Sequence, residues 1–201
     1  MPIRFAGIAA IALLCALPAA AAQTASSPVR VVGTIEKASG NALTVKTRQG
    51  DTATVTVAEN VQVFDVSKAT LADVKPGSFI GVGAAPQTDG SQLAIQVTIF
   101  ADVQRGLGEG HRPWNRPNTT MTNATVDSTV TGVNGQELRV KYKDGEQKIV
   151  IPPDAIILAY SVGDKSELKD GANIAINGAI KNPDGTYNAA RVNVGRDVVP
   201  Q

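Results

Sequence analysis

The sequence predicts an all-β protein built from two tandem small barrels of OB-like or SH3-like type. Three observations carry that expectation. Apolar residues recur at every second position in short runs, Gly- and Asn-rich turn signals separate the runs, and the chain aligns with itself. At a shift of 95, Leu43 and Val45 fall on Leu138 and Val140, while Gly40, Gly50 and Gly90 fall on Gly135, Gly145 and Gly185. Between the later turns the shift is 94, matching Ile80 with Ile174. Agreement of turns and core positions over most of each half points to a duplicated unit.

Element by element, the chain opens with Arg4, an apolar run from Ile8 to Leu17, and small residues at Ala20, Ala21 and Ala22. That pattern predicts a signal peptide over 1–22, cleaved near Ala22, and a periplasmic or secreted product. Pro18 interrupts a run shorter than the roughly 20 residues a membrane helix needs, and no later stretch is long or apolar enough, so no transmembrane segment is expected after cleavage. The single cysteine, Cys15, lies in this leader. Removing residues 1–22 takes away one Arg and no acid, and leaves 18 positive and 18 negative side chains in 179 residues. Without a disulfide, apolar burial must hold the fold together.

The first repeat, 23–103, carries Leu43/Val45, Val55/Val57, Val61/Val63, Ile80/Val82 and Leu93/Ile95/Val97/Ile99. The second, 121–201, carries Leu138/Val140, Ile149/Ile151, Ile174/Ile176 and Val192/Val194. Ser39-Gly40-Asn41, Gln49-Gly50-Asp51, Asn134-Gly135 and Asp144-Gly145 read as hairpin turns, because Gly and Asn tolerate positive φ. One helical turn is expected in each copy, at Thr70 to Val74 and Lys165 to Leu168, with Ser67 or Thr70 and Asp164 or Ser166 as caps. A unit of roughly 75 residues buries only about 60% of its unfolded surface, so the two barrels should pack together.

The first copy reads Leu71-x-x-Val74-Lys75-Pro76-Gly77-Ser78-x-Ile80-x-Val82-Gly83, then Asp89-Gly90-x-x-x-Ala94-x-x-Val97. The second reads Leu168-Lys169-Asp170-Gly171-x-x-Ile174-x-Ile176-Asn177-Gly178, then Asp184-Gly185-x-x-x-Ala189-x-x-Val192. This pattern is similar to a secreted bacterial domain of unknown function, numbered five-six-six-six, present here as two copies. The resemblance implies a fold and an exported setting. Its motifs are turns and core positions, which name no chemistry.

Residues 104–120 differ in kind: they hold the only His, the only Trp and three Arg in a Gly/Arg/Trp linker loop. An exposed indole leaves a large apolar surface in water, so Trp114 either packs between the barrels or waits for a partner. His111, Arg112 and Trp114 are therefore the candidate partner-binding residues, since indole and guanidinium combine contact area with directional polar contacts. Gly106-x-Gly108-x-Gly110 lacks the dinucleotide spacing, and Pro113 and Pro117 discourage the helix such a site needs. One His and no Cys after residue 22 leave a transition-metal site short of ligands.

No nucleophile elbow accompanies His111, so no catalytic residue is nominated. Balanced charge and seven aromatics after residue 22 argue against nucleic acid. The expectation is an exported, non-enzymatic binding or interaction module of the cell envelope, with no cofactor. Its partner would be an envelope protein, a glycan or a small ligand. The competing expectation is a periplasmic accessory that binds a metal ion or small molecule.

Overall fold

The computed structural model describes residues 27–114, 116–132, 135–196 and 198. The expected signal peptide over 1–22 and Asn134 of the Asn134-Gly135 turn lie outside them. The described chain is all-β, with strands β1 (Val29–Ser39), β2 (Ala42–Thr47), β3 (Thr52–Lys68), β4 (Phe79–Pro86), β5 (Gln92–Ile99), β6 (Gly110–Pro113), β7 (Thr120–Gly132), β8 (Gly135–Tyr142), β9 (Gly145–Ile151), β10 (Ile156–Val162), β11 (Asn173–Lys181) and β12 (Tyr187–Gly195). Among the described residues no helix is long and apolar enough to cross a membrane.

The two expected helical turns are 3-10 turns, Leu71–Asp73 and Lys165–Glu167. Thr70 donates from its N–H and its hydroxyl to Asp73 Oδ2, both at 2.8 Å, and Asp164 Oδ1 accepts from the Ser166 N–H at 2.8 Å. The hairpins β4–β5 and β11–β12 use one turn chemistry twice. Asp89 accepts from the Ser91 N–H and Asp184 from the Thr186 N–H, each at 2.9 Å, ahead of Gly90 and Gly185 with φ of 83° and 86°.

Two corrections to the strand reading have local causes. Val55/Val57 and Val61/Val63 lie in one 17-residue strand, β3, whereas Pro152-Pro153 splits the corresponding stretch of the second half into β9 and β10. Proline has no N–H for the ladder. In β5, Leu93/Ile95/Val97/Ile99 do not form the buried face. The register slips opposite Gly83/Ala84, so that Ala94 and Val97 face the core and Leu93 is left exposed. A bulge inserts one extra residue and reverses the alternation beyond it. The pairing of β12 with β3 is also irregular between Ala189 and Arg191, whose partners are Val57 and Gln62, and Ala189 and Val192 both face the core.

The closed rings draw on both segments. Among the described residues, neither 23–103 nor 121–201 closes a ring from its own strands. One ring runs β1–β2–β3–β12–β11 and back to β1, with β12 parallel to β3. The other runs β7–β8–β9–β5–β4 and back to β7, with β5 parallel to β9 and then to β10. The hairpins β4–β5 and β11–β12 each close a ring with three strands from the other half of the chain. Each core is accordingly mixed: Leu43, Val45 and Val55 pack with Ile174 and Val192, while Ile80 and Val97 pack with Leu138, Val140 and Ile149. The 17-residue β3 carries the chain across: it pairs with β2 and β12 in one ring and then, through Phe64 to Lys68, with β10 beside the other.

Beyond the first barrel, β3 pairs antiparallel with β10 from Phe64↔Val162 to Lys68↔Leu158, centred on Val66↔Tyr160. Val63 pairs with Val192, and Ile157 with Val97, so Phe64 and Leu158 are equivalent positions and the junction is symmetric about its centre. A four-stranded sheet β12–β3–β10–β5 thus runs through both barrels.

Candidate functional site

One face of that junction sheet is the floor of a groove of about 850 Å³. Strand alternation puts Val192 and Val194 into a core, so Arg191 and Asn193 face outward into the groove. In β5, Val97 faces inward and Gln96 and Thr98 line the groove; Gln62 of β3 and Tyr160 of β10 complete the floor. The far wall is flat for a stated reason. Added Cβ atoms at Gly81 and Gly83 would lie 2.9 Å from the Phe100 ring and 2.5 Å from the Trp114 ring, so both aromatics rest directly on β4. Phe100 also packs edge-on against Tyr160, with ring centroids 5.9 Å apart.

The groove's charge is one-sided. Arg30, Arg48, Arg112, Arg116 and Arg191 line it, and among the described residues no Asp or Glu does. Five of the chain's nine arginines gather here with none of its lysines. A guanidinium is a planar fork of donors suited to carboxylate or phosphate oxygens and less strongly hydrated than an ammonium. Several are already oriented by neutral acceptors. Arg30 Nε donates to Asn177 Oδ1 (2.9 Å), Arg112 Nη1 to the Gly108 carbonyl (2.7 Å), and Arg191 Nη2 to Gln62 Oε1 (3.0 Å). Arg116 stacks over Trp114 at 5.0 Å and Arg191 over Phe64 at 5.6 Å.

Burial first, and then the Arg48 charge, hold Arg30 below the ordinary guanidinium range, with Tyr160 acting in the opposite sense. Burial raises the Tyr160 phenol, against the Arg30 charge. On the floor, Asn193 is 4% exposed, and its Oδ1 has no hydrogen-bond partner among the described residues. A buried polar atom left unpaired costs about 1–3 kcal/mol. Thr47 Oγ1, Gln136 Oε1 and Glu167 Oε2 are in the same state, and of these four residues only Asn193 lines the groove.

The nominated residues divide. Arg112 and Trp114 line the groove; His111 does not. Within β6, which pairs with β7, Arg112 sits opposite Met121 on the groove side and His111 opposite Thr122 on the other, where its Nδ1 lies 2.8 Å from the fully buried Thr122 Oγ1. The linker is not simply a loop. It contains β6, and Asn123 Nδ2 donates to the Leu107 carbonyl (2.9 Å) while Glu109 accepts from the Lys143 N–H (3.0 Å), fastening it to the second barrel. Gly106, Gly108 and Gly110 all take positive φ, which the tight path requires.

Arg30, Arg48, Arg191 and Asn193 were missed because they come from β1, the β2–β3 turn and β12. Their only sequence mark is an outward position beside a core residue, which many other polar residues share. Away from the groove, Arg196 Nη2 lies 2.8 Å from Asp65 Oδ2 and 3.6 Å from Glu167 Oε1. The hydrogen bond shared with Asp65, then burial and the Asp65 charge, push the Glu167 carboxyl up. Among the described residues no three His, Cys, Asp or Glu side chains converge in a way that would hold a metal ion. No known family model, curated protein or solved structure matches the chain.

Proposed function

We propose that this protein is an exported, non-enzymatic binding module of the cell envelope that takes an anionic ligand in the groove between its two barrels. The observation that carries the reading is five guanidinium groups around one cavity with no carboxylate among its described lining residues. Cations gathered with no acidic counterpart repel one another, and an anionic ligand relieves that repulsion. In this reading each barrel is OB-like. The ring order, with the third strand closing parallel against the last strand of the hairpin from the other half of the chain, supports that choice over the SH3-like one. The exported setting rests on the residue pattern of 1–22, and membership of the domain family numbered five-six-six-six rests on its motifs.

Thermal unfolding with and without polyphosphate tests the binding reading. A ligand that binds only the folded protein raises the midpoint. The expected result is a rise at low salt that disappears near 1 M salt, where the screening length is about 3 Å, and in an Arg48→Gln/Arg112→Gln double variant. A rise with divalent metal ions and none with polyphosphate would replace this reading with the metal-binding accessory.

A further inference from the structure

We infer that the groove's ligand is an acidic oligosaccharide, a short chain of sugar rings carrying carboxylate groups. The inference rests on the anion-binding reading above and narrows it by three observations.

The first is the mixture of polar groups. The guanidinium groups ask for anionic oxygens, but the floor asks for a donor. Asn193 lines that floor, and its buried Oδ1 has no hydrogen-bond partner among the described residues. An inorganic anion or fully ionised polyphosphate has no donor for it, whereas a sugar hydroxyl donates and accepts in one group. The half-buried Tyr160 and the buried Gln96 and Thr98 side chains extend the same neutral surface.

The second is the state of the aromatic rings. Trp114 lies against Gly83 and carries Arg116 over its ring, and Phe100 is held between Phe79 and Tyr160, with centroids 5.6 and 5.9 Å away. A single-stranded nucleic acid draws much of its affinity from bases stacked on free aromatic faces. Here the rings that line the groove are already engaged.

The third is size. About 850 Å³ lies in the range of whole organic ligands, far beyond one small ion. It suits a few linked rings, whose carboxylates recur along the chain as the arginines recur around the groove.

Titration of the full chain after signal removal tests the inference. The probes are a galacturonate tetramer, a neutral glucan tetramer, polyphosphate and an oligodeoxythymidylate. The galacturonate tetramer should bind and raise the melting midpoint, and the neutral glucan should not.

Arg48→Gln alters an exposed side chain, and Asn193→Asp replaces the amide nitrogen with an oxygen while Asn193→Leu removes the unpaired amide with the branching kept. Each should weaken galacturonate about tenfold or more, the scale of a lost hydrogen bond to a charged or buried partner. Asn193→Leu should leave the unliganded midpoint unchanged or higher, which separates lost recognition from lost folding. Binding of polyphosphate or the oligonucleotide without galacturonate would overturn the saccharide and keep the anion site. Binding of none of the polyanions, or of the neutral glucan as strongly as galacturonate, would overturn both.

Discussion

Gly83 shows how much one missing Cβ decides. Its backbone needs no special conformation, but the space its side chain would occupy belongs to Trp114, 2.5 Å away. Gly83→Ala should therefore displace the indole, red-shift the emission of the chain's only Trp and cost about 1–3 kcal/mol of stability through overpacking. Unchanged emission would mean the ring does not rest on β4. Glu167 makes a pH prediction with a definite sign. Its folded-state carboxyl is raised, first by the hydrogen bond with Asp65, so its contribution is fully present below the unfolded value and is lost as pH rises through the folded one. Comparing wild type with Glu167→Gln cancels the opposing effect of the exposed turn aspartates Asp73, Asp89, Asp164 and Asp184, which are depressed chiefly by hydrogen bonds from Thr70, Ser91, Ser166 and Thr186. The difference in midpoint should move in favour of wild type as pH falls from neutral toward the ordinary glutamate range. A pH-independent difference would contradict the shared proton.

At the scale of elements, the closure of each ring by a hairpin from the other half assigns unexpected consequences to core residues. Val97 belongs to the first repeat, yet it is fully buried among strands of the second. Val97→Asp should cost several kcal/mol, the penalty of an unpaired buried charge, and amide exchange should show protection lost first in β7, β8 and β9 rather than in β1 and β2. Loss confined to β1–β3 would contradict the pairing of β5 with β9 and β10. The register shifts in β5 and β12 matter for the same reason. They turn Gln96 and Arg191 to the outer face, where both line the groove.

The whole molecule is one folding unit, since neither half owns a complete barrel. If the chain is made as two polypeptides, one ending at Trp114 and the other beginning at Arg116, the halves should copurify as a one-to-one complex when coexpressed. Made alone, each half should stay unfolded or close its barrels with a second copy of itself, since its first three strands lack a hairpin and its hairpin lacks a barrel. Two separately folded monomers, seen by size and mass, would contradict the mixed rings. The groove depends on the same architecture, because its floor is the junction sheet that exists only where β3 of one half meets β10 of the other.

Local sequence patterns were enough to read the all-β class, two of the three 3-10 turns, the hairpin glycines and the matched positions of Val45 with Val140 and Val97 with Val192, all four fully buried. Those features depend on neighbours a few residues apart. Arg112 and Trp114 were legible for a similar reason, since an unusual residue type stands out in a linker. Which barrel each hairpin joins was not legible, because closure within a half and closure across the halves satisfy the same pattern of inward and outward residues. Only the pairing of β3 with β12 and β10, and of β5 with β9, decides between them. The balanced charge of the chain also hid a local imbalance. Composition sums over the whole surface, whereas the tertiary structure brings Arg30, Arg48 and Arg191 from distant strands to face Arg112 and Arg116, leaving the acids elsewhere.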